Sequence, residues 1–375
     1  MKTSIKYPVI SYLLLSDLHL GHDKNKTEYI VRNLDLFFKR NLDTILKTRI
    51  IFIAGDVFDR LLSNSNKDSI LAYSWLSRLL VFCKNNDIKL RILEGTPSHD
   101  RKQVKQLTEI IKSLGIEDEV DYRYFDKLDI EFMKDLGLSV LYIPDEWKEN
   151  AEDTLKDVKK ILITHGLDKV DIIIMHGAFK YQIPNIESPA FHNQEEYVKL
   201  VNYTVNCGHV HNPSVYEKIL VPGSFDRLNH SDEKDTKGGL IVNLFENGTF
   251  DFKVLENKTA MIFKTFDLSK TDWNKIEKEL KKLNNNELAF VRFLTTDEIK
   301  IKDNLFELKQ LYPNLRFTVT KKDKVKNEIN NMELTTDINI DIVKLDEEAI
   351  KNYIMENIPN DIDEKLLLEE LNNIL

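Results

Sequence analysis

RILEGTPSHDRKQ, residues 91–103, passes from an apolar pair, Ile92-Leu93, through Gly95 and a Thr-Pro turn to Ser98, His99 and Asp100 in a row. A short apolar run closed by Gly or Pro reads as a buried strand. Hydroxyl, imidazole and carboxylate directly after it read as a site at the strand end. The construction recurs along the chain. LLLSDLHLG ends with Asp17 and His19, and FIAGDVFDR with Asp56, followed by Asp59 and Arg60. IIIMHG ends with His176, and NCGHVHNP with His209 and His211. Glycine is scarce, 12 in 375, yet Gly21, Gly55, Gly95, Gly177, Gly208 and Gly223 adjoin these places, as expected where backbone must turn tightly against a ligand.

Working outward, VISYLLL, RIIFIAG, KLRILEG, DIIIMHG, YTVNCGH and KILVPGS read as strands. Between them EYIVRNLDLFFKRNLDTIL, DSILAYSWLSRLLVFCKNN, RKQVKQLTEIIKSLG and AEDTLKDVKKILITHG carry helical spacing with polar outer faces. The alternation predicts a layered α/β fold over residues 1–258, closed by a hairpin at Asn247-Gly248. Residues 259–326 read as a small α/β unit, with helices at WNKIEKELKKLNN and NLFELKQLYP and strands at LAFVRFLTT and LRFTVTKK. Residues 327–344 read as a polar linker. Residues 345–375 read as two amphipathic helices broken at Pro359, too short to bury their apolar faces alone, so they dock on their own chain or on a partner.

The net charge of −9 by itself argues against a nucleic-acid partner, but the charge is uneven. Residues 259–326 hold 15 Lys and Arg against 10 Asp and Glu, whereas 327–375 hold 3 against 13. Cys83 and Cys207 fit no zinc spacing and read as buried thiols of a reducing compartment. No apolar run is long enough to span a membrane and the start has no leader cleavage signal, so the expectation is a cytoplasmic protein.

In open α/β sheets ligands bind beyond the carboxyl ends of strands, where Asp17, His19, Asp56, Ser98, His99, His176, His209 and His211 would converge. Carboxylate and imidazole without thiolate suit manganese, iron(II), magnesium or zinc. The donors are too many for one ion and fit two ions sharing a carboxylate, the arrangement of metal-assisted phosphate ester hydrolysis.

In this order D-L-H, G-D-V-F-D-R, S-H-D, H-G and G-H-V-H resemble the calcineurin-like metallophosphoesterases. VPGSFDRLNHSDEKDTKGG after GHVH, followed by a small α/β unit and C-terminal helices, resembles the SbcD family, nuclease subunits of double-strand-break complexes in DNA repair, recombination and replication. The resemblance implies a layered α/β/β/α metallophosphoesterase core, a DNA-capping domain at 259–326 and a partner-binding helical segment at 345–375. It implies exonuclease and endonuclease action on DNA with two divalent ions, manganese first, magnesium or iron(II) next. One ion is assigned to Asp17, His19, Asp56 and His211, the other to Asp56, His176, His209 and the residue at 98. His99 becomes the catalytic imidazole, oriented by Asp59. An SbcC-like ATPase of the SMC family, held by the C-terminal helices, and a homodimer complete the implied assembly. The chain departs from the family at one place: Gly-Asn-His-Asp is here Gly-Thr-Pro-Ser-His-Asp. Two residues are added and Ser98 stands for Asn, a shorter neutral donor that would hold the second ion more loosely or with an extra water.

Plainer readings attach to the remaining residues. His165 in LITHG has the local form of His176 but ends a helical stretch, and His22, His192 and His230 read as surface or supporting groups, His22 being close enough to His19 to meet substrate. Asp100 reads as a helix cap, and Arg60 as a phosphate contact or a surface ion pair. Two other functions fit parts of the pattern. A phosphatase or phosphodiesterase for a small molecule or RNA would need no basic unit and no tethered helices. A non-catalytic scaffold on the same fold would be expected to lose several ligands.

Overall fold

The computed structural model describes residues 8–63, 65–296 and 305–322. The expected linker at 327–344 and helical segment at 345–375 lie outside the described residues.

Strands β1 (Ile10–Leu15), β2 (Ile50–Ala54), β3 (Lys89–Leu93) and β4 (Tyr122–Phe125) pair in parallel. They are linked through α1 (Thr27–Arg40) with the short α2 (Leu42–Ile45), α3 (Lys67–Asn85) and α4 (Lys105–Leu114). Parallel neighbours need such crossovers, and the helices then cover one face of the sheet. A second sheet follows: β5 (Asp129–Met133), β6 (Leu138–Ile143), α5 (Ala151–Thr164), β7 (Val170–His176), α6 (Gln194–Val198), β8 (Val201–Gly208), β9 (Ser214–Tyr216) and β10 (Ile219–Val221). Its order is β5-β6-β7-β8-β10-β9, with β6, β7, β8 and β10 parallel. The chain then returns to the first sheet with the hairpin β11 (Gly238–Leu244) and β12 (Phe250–Glu256), giving β12-β11-β1-β2-β3-β4. Gly248 takes φ +77 in that turn, the left-handed backbone that Asn-Gly supplies.

The apolar runs are buried on both faces because each sheet lies between two layers. Tyr12, Leu14, Phe52 and Leu93 pack with Val140, Tyr142, Ile172 and Ile174 of the second sheet in the central core. Leu13, Leu15, Ile51 and Ile53 face α1 and α3 through Leu34, Phe37, Trp75 and Leu76. Ile173, Met175 and Val205 meet Val158, Leu162 and Tyr197 of α5 and α6. The architecture is layered α/β/β/α. Polar groups cross the central core in pairs: Tyr12 Oη lies 2.8 Å from Thr204 Oγ1, and Arg91 donates to Glu131 at 2.8 Å.

A third sheet, β13 (Ile262–Asp267), β14 (Ala289–Thr295) and β15 (Leu315–Lys321), is wholly parallel. With α7 (Trp273–Leu283) and α8 (Leu305–Leu311) it has its own core of Phe266, Ile276, Leu280, Phe293, Leu308 and Phe317. The sequence patterning did not anticipate β4, β5, β6, β9 or β13. YRYF and IFKTFD are half-exposed and mix charge into the strand, DIEFM also mixes charge, and β9 has three residues, so these show no long apolar run, whereas the apolar run of β6, LSVLYI, was passed over. Among the described residues no helix is long and apolar enough to cross a membrane, and both thiols are buried and free.

Candidate metal centre

Ends of both central sheets meet over one small floor. β1 delivers Asp17 and His19, β2 Asp56, β3 Thr96 and His99, β7 His176, and β8 His209 and His211. To turn their side chains onto this floor, Asp17 (φ +52), His19 (φ +50), Asp56 (φ +50) and His209 (φ +97) adopt left-handed backbone, uncommon for any residue but Gly. Such strain persists only where surrounding structure enforces it. Here Asp17 N donates to Gly55 O at 3.1 Å and His19 N to Asp56 O at 3.1 Å, locking the β1 and β2 loops together. Two glycines permit the close approach: a Cβ on Gly55 would lie 2.2 Å from His176 Nδ1, and one on Gly95 2.1 Å from Asp56 N.

The side chains form three overlapping groups whose ligand atoms lie within bonding reach of a common ion: Asp17, His19 and His211; His19, Asp56 and His99; Asp56, His176 and His209. Successive groups share members, so the donors run continuously from Asp17 to His209. His19 Nε2 and His211 Nε2 face each other at 3.0 Å, and Asp56 Oδ2 lies 3.0 Å from His99 Nδ1 and 3.2 Å from His176 Nε2. His176 Nδ1 donates to Ala54 O at 2.7 Å, so Nε2, 3.2 Å from Asp56 Oδ2, is the nitrogen an ion could bind once it gives up its proton. Asp59 does the same for His19, its Oδ1 lying 3.0 Å from Nδ1. Holding the outer ring nitrogen so that the inner one presents a lone pair is how proteins prepare histidine for metal.

Electrostatics agree with that preparation. Burial opposes charge on Asp56, but His176, His99 and His19 outweigh it and hold the carboxyl well below its usual range. Burial likewise works against a charged His176, yet Asp56 beside it keeps the imidazole pKa up at about 10. His211 moves the other way: burial and then His19 and Lys237 hold it well below the ordinary value, so it stays neutral and able to ligate. A buried anion that recruits protons onto its histidine neighbours is a site where a cation can take those protons' place. The donor set of carboxylate and imidazole, without thiolate, suits a divalent ion of the manganese, magnesium, iron or zinc type.

Several expectations need correction. Ser98 is exposed on the outside of the turn. The position expected for it is taken by Thr96, whose N donates to Asp56 Oδ1 at 2.6 Å and whose Oγ1 lies 3.1 Å from Asp56 Oδ2, 3.4 Å from His176 Nε2 and 3.3 Å from His209 Nδ1. The extra residues Pro97 and Ser98 therefore loop out after the donor rather than before it, because Thr96 follows Gly95 directly and cannot leave the strand end. Asp59 was expected to orient His99; its hydrogen bond goes to His19, and His99 is held by Asp56. Asp100 is not a helix cap, since α4 begins at Lys105. Its carboxylate accepts from Phe58 N and Gly95 N, both at 2.8 Å, fastening the β2 loop to the β3 loop. Burial, then Asp56 and Glu94, raise its pKa to about 8.

Arg60 pairs with Asp23. His22 is partly buried, with Nδ1 accepting from Asn25 N at 3.1 Å. His165 caps the end of α5 against Phe132, away from the floor. Two residues escaped the sequence reading: Thr96, and Asp145, whose Oδ2 lies 3.2 Å from Thr96 Oγ1 and 3.3 Å from His209 Nδ1. The signal for Asp145 was present, since VLYIPD is one more apolar run ending in a carboxylate.

The stretch after β10 ties the floor to the third sheet. Ser224 N and buried Lys237 Nζ both donate to His211 O, at 3.1 and 2.9 Å. Two residues on, Asp226 accepts from Asn33 Nδ2 and Met261 N, both at 2.6 Å, while Arg227 reaches Asp235 O at 2.9 Å and Met261 O at 3.3 Å. The SFDR stretch thus joins the first sheet's helix layer, the His211 loop and the start of β13.

Fold and floor together define a layered α/β protein with His and Asp groups able to hold metal at the strand ends. No family model and no curated protein matches the chain.

Proposed function

We propose that the chain is a metal-dependent phosphodiesterase that cuts DNA, the nuclease member of a repair complex of the SbcD kind. The observation that carries this reading is the continuous run of donors in which Asp56 belongs to two of the three groups. One carboxylate reached from both sides is what a two-ion site needs. Asp17, His19, Asp56 and His211 would hold one ion, and Asp56, His176, His209 and Thr96 the other. Bound cations would make a water acidic enough to attack phosphorus at neutral pH. His99, 9 % exposed with Nδ1 3.0 Å from Asp56 Oδ2, would give a proton to the leaving sugar oxygen.

The order of the motifs and the mildly basic third-sheet segment favour DNA over a small ester. The complete donor set speaks against a non-catalytic scaffold. The same reading makes manganese the first ion to try, with magnesium and iron(II) sharing its ligand preference. It assigns residues 345–375 to an SbcC-like ATPase, the protein to a homodimer and, with its reduced thiols, to the cytoplasm.

The test is hydrolysis of linear duplex and single-stranded DNA with manganese and with magnesium, with and without an SbcC-like ATPase. The natural chain should cut, and His99→Ala should retain metal while losing about 10²–10⁴-fold in rate. Unchanged turnover would remove His99 from the chemistry. Turnover of a small phosphodiester with no cutting of DNA under any of these conditions would move the assignment to the small-molecule class.

A further inference from the structure

We propose that Asp145 is a ligand of the second ion and that, together with Thr96, it replaces the single amide expected there; the inference rests on the two-ion reading above. Asp145 follows β6 after Pro144, and its side chain is only 10 % exposed. One carboxylate oxygen is anchored, Oδ1 accepting from Glu146 N at 2.9 Å, and Glu146 sits at φ +47, so the local backbone is bent to make that bond. The other oxygen, Oδ2, faces Thr96 and His209.

Thr96 Oγ1 has four polar neighbours between 3.1 and 3.4 Å: Asp56 Oδ2, Asp145 Oδ2, His176 Nε2 and His209 Nδ1. A hydroxyl carries one hydrogen and cannot satisfy two carboxylates and two imidazoles at once. Adjacent ligands of a six-coordinate ion with bonds of about 2.1 Å lie about 3.0 Å apart, close to the spacing these atoms already have around Thr96. Asp145 Oδ2 also lies 3.3 Å from His209 Nδ1, so it stands beside two of the donors assigned to the second ion. A carboxylate in a largely buried place would be costly without a partner. The second ion is the partner within reach. The second site thereby gains a negative charge and a hydroxyl where an amide alone would serve, which favours a hard, oxygen-preferring cation such as manganese or magnesium.

The experiment is manganese titration by calorimetry, with electron paramagnetic resonance to detect a spin-coupled pair, on the full chain and its Asp145→Ala, Asp145→Asn and Ser98→Ala variants. Thermal unfolding without metal checks that each variant is folded, and the isosteric Asp145→Asn carries the comparison if Asp145→Ala is not. The natural chain should bind two ions as a coupled pair. Loss of the Asp145 carboxylate should weaken the second ion by at least about tenfold and remove the coupled signal, leaving the first ion in place. Ser98→Ala should bind as the natural chain does. Two ions bound with unchanged affinity in both Asp145 variants would overturn the proposal. A natural chain that takes up fewer than two ions would overturn the two-ion reading itself, an outcome separable from the first because no variant is needed to see it.

Discussion

The two ends of the donor run are built differently. At the Asp17 end, Asp17 receives the His209 N–H at 3.0 Å, His19 is held by Asp59, and the His211 carbonyl is pinned by Ser224 and Lys237. Each partner arrives from a different segment of chain, and His19 and Asp17 are almost wholly enclosed. At the His209 end, among the described residues, His176 is fixed in this way through Ala54 O, and Asp145 is held by the N–H of its own neighbour Glu146. Thr96 and Asp145 stand on loops, and they bond mainly to other donors of the same site. An end whose ligands are oriented from outside is prepared before metal arrives. An end whose ligands hold one another must exchange those bonds for bonds to the ion, so it should bind more weakly and depend more on charge.

The largest effect expected is from Asp56→Ala, which removes the carboxylate common to both ends. Both ion affinities should fall together and DNA cutting should disappear. If calorimetry shows only one ion lost, the ends do not share Asp56. Next in size is Asp59→Asn, which should weaken the ion at the Asp17 end by about 10–100-fold while leaving the other unchanged; equal weakening of both would show that the ends are not independent.

A smaller effect concerns the support beneath the His209 end. His192 bonds Tyr197 Oη at 3.0 Å and adjoins Gly177, just after His176. Burial, partly offset by Asp145, lowers its pKa to about 4. Between the ordinary value near 6.5 and that value the unfolded chain takes up a proton that the folded chain refuses. Stability should therefore decline as pH falls through this window, by up to about 3 kcal/mol from this residue. Denaturant midpoints of the natural chain and His192→Asn at several pH values measure the contribution. A parallel acid decline in both proteins would assign it elsewhere. The smallest effect should be that of Ser98→Ala: stability within about 0.5 kcal/mol and unchanged cutting. A clear loss of rate would mean that the turn brings Ser98 inward during the reaction.

Much of the layered fold was legible from local pattern. Runs such as RIIFIAG and DIIIMHG are apolar on both faces because they lie between layers, and strands of that kind announce themselves without knowledge of their neighbours. YRYF and IFKTFD were silent because their faces are unequal and partly wet. The same division holds in the site. Asp17, His19, Asp56, His176, His209 and His211 could be named because each directly ends or follows a strong strand signal. Asp59 was recognised as important, but its hydrogen bond to His19 was not foreseen, since nothing in GDVFDR tells which imidazole a side chain three residues past Asp56 will meet.

Chain order and side-chain chemistry by themselves determined the fold class, the strand ends that matter and the presence of a carboxylate–imidazole donor set, because these depend on residue type and on spacing within a few residues. Only tertiary structure decided that Thr96 and not Ser98 faces Asp56, that Asp100 clamps two loops instead of capping a helix, and that Asp145 joins the His209 end. Those choices depend on which way a turn bulges and on which distant backbone N–H or carboxylate lies opposite, and that is set by the packing of one sheet's ends against the other's.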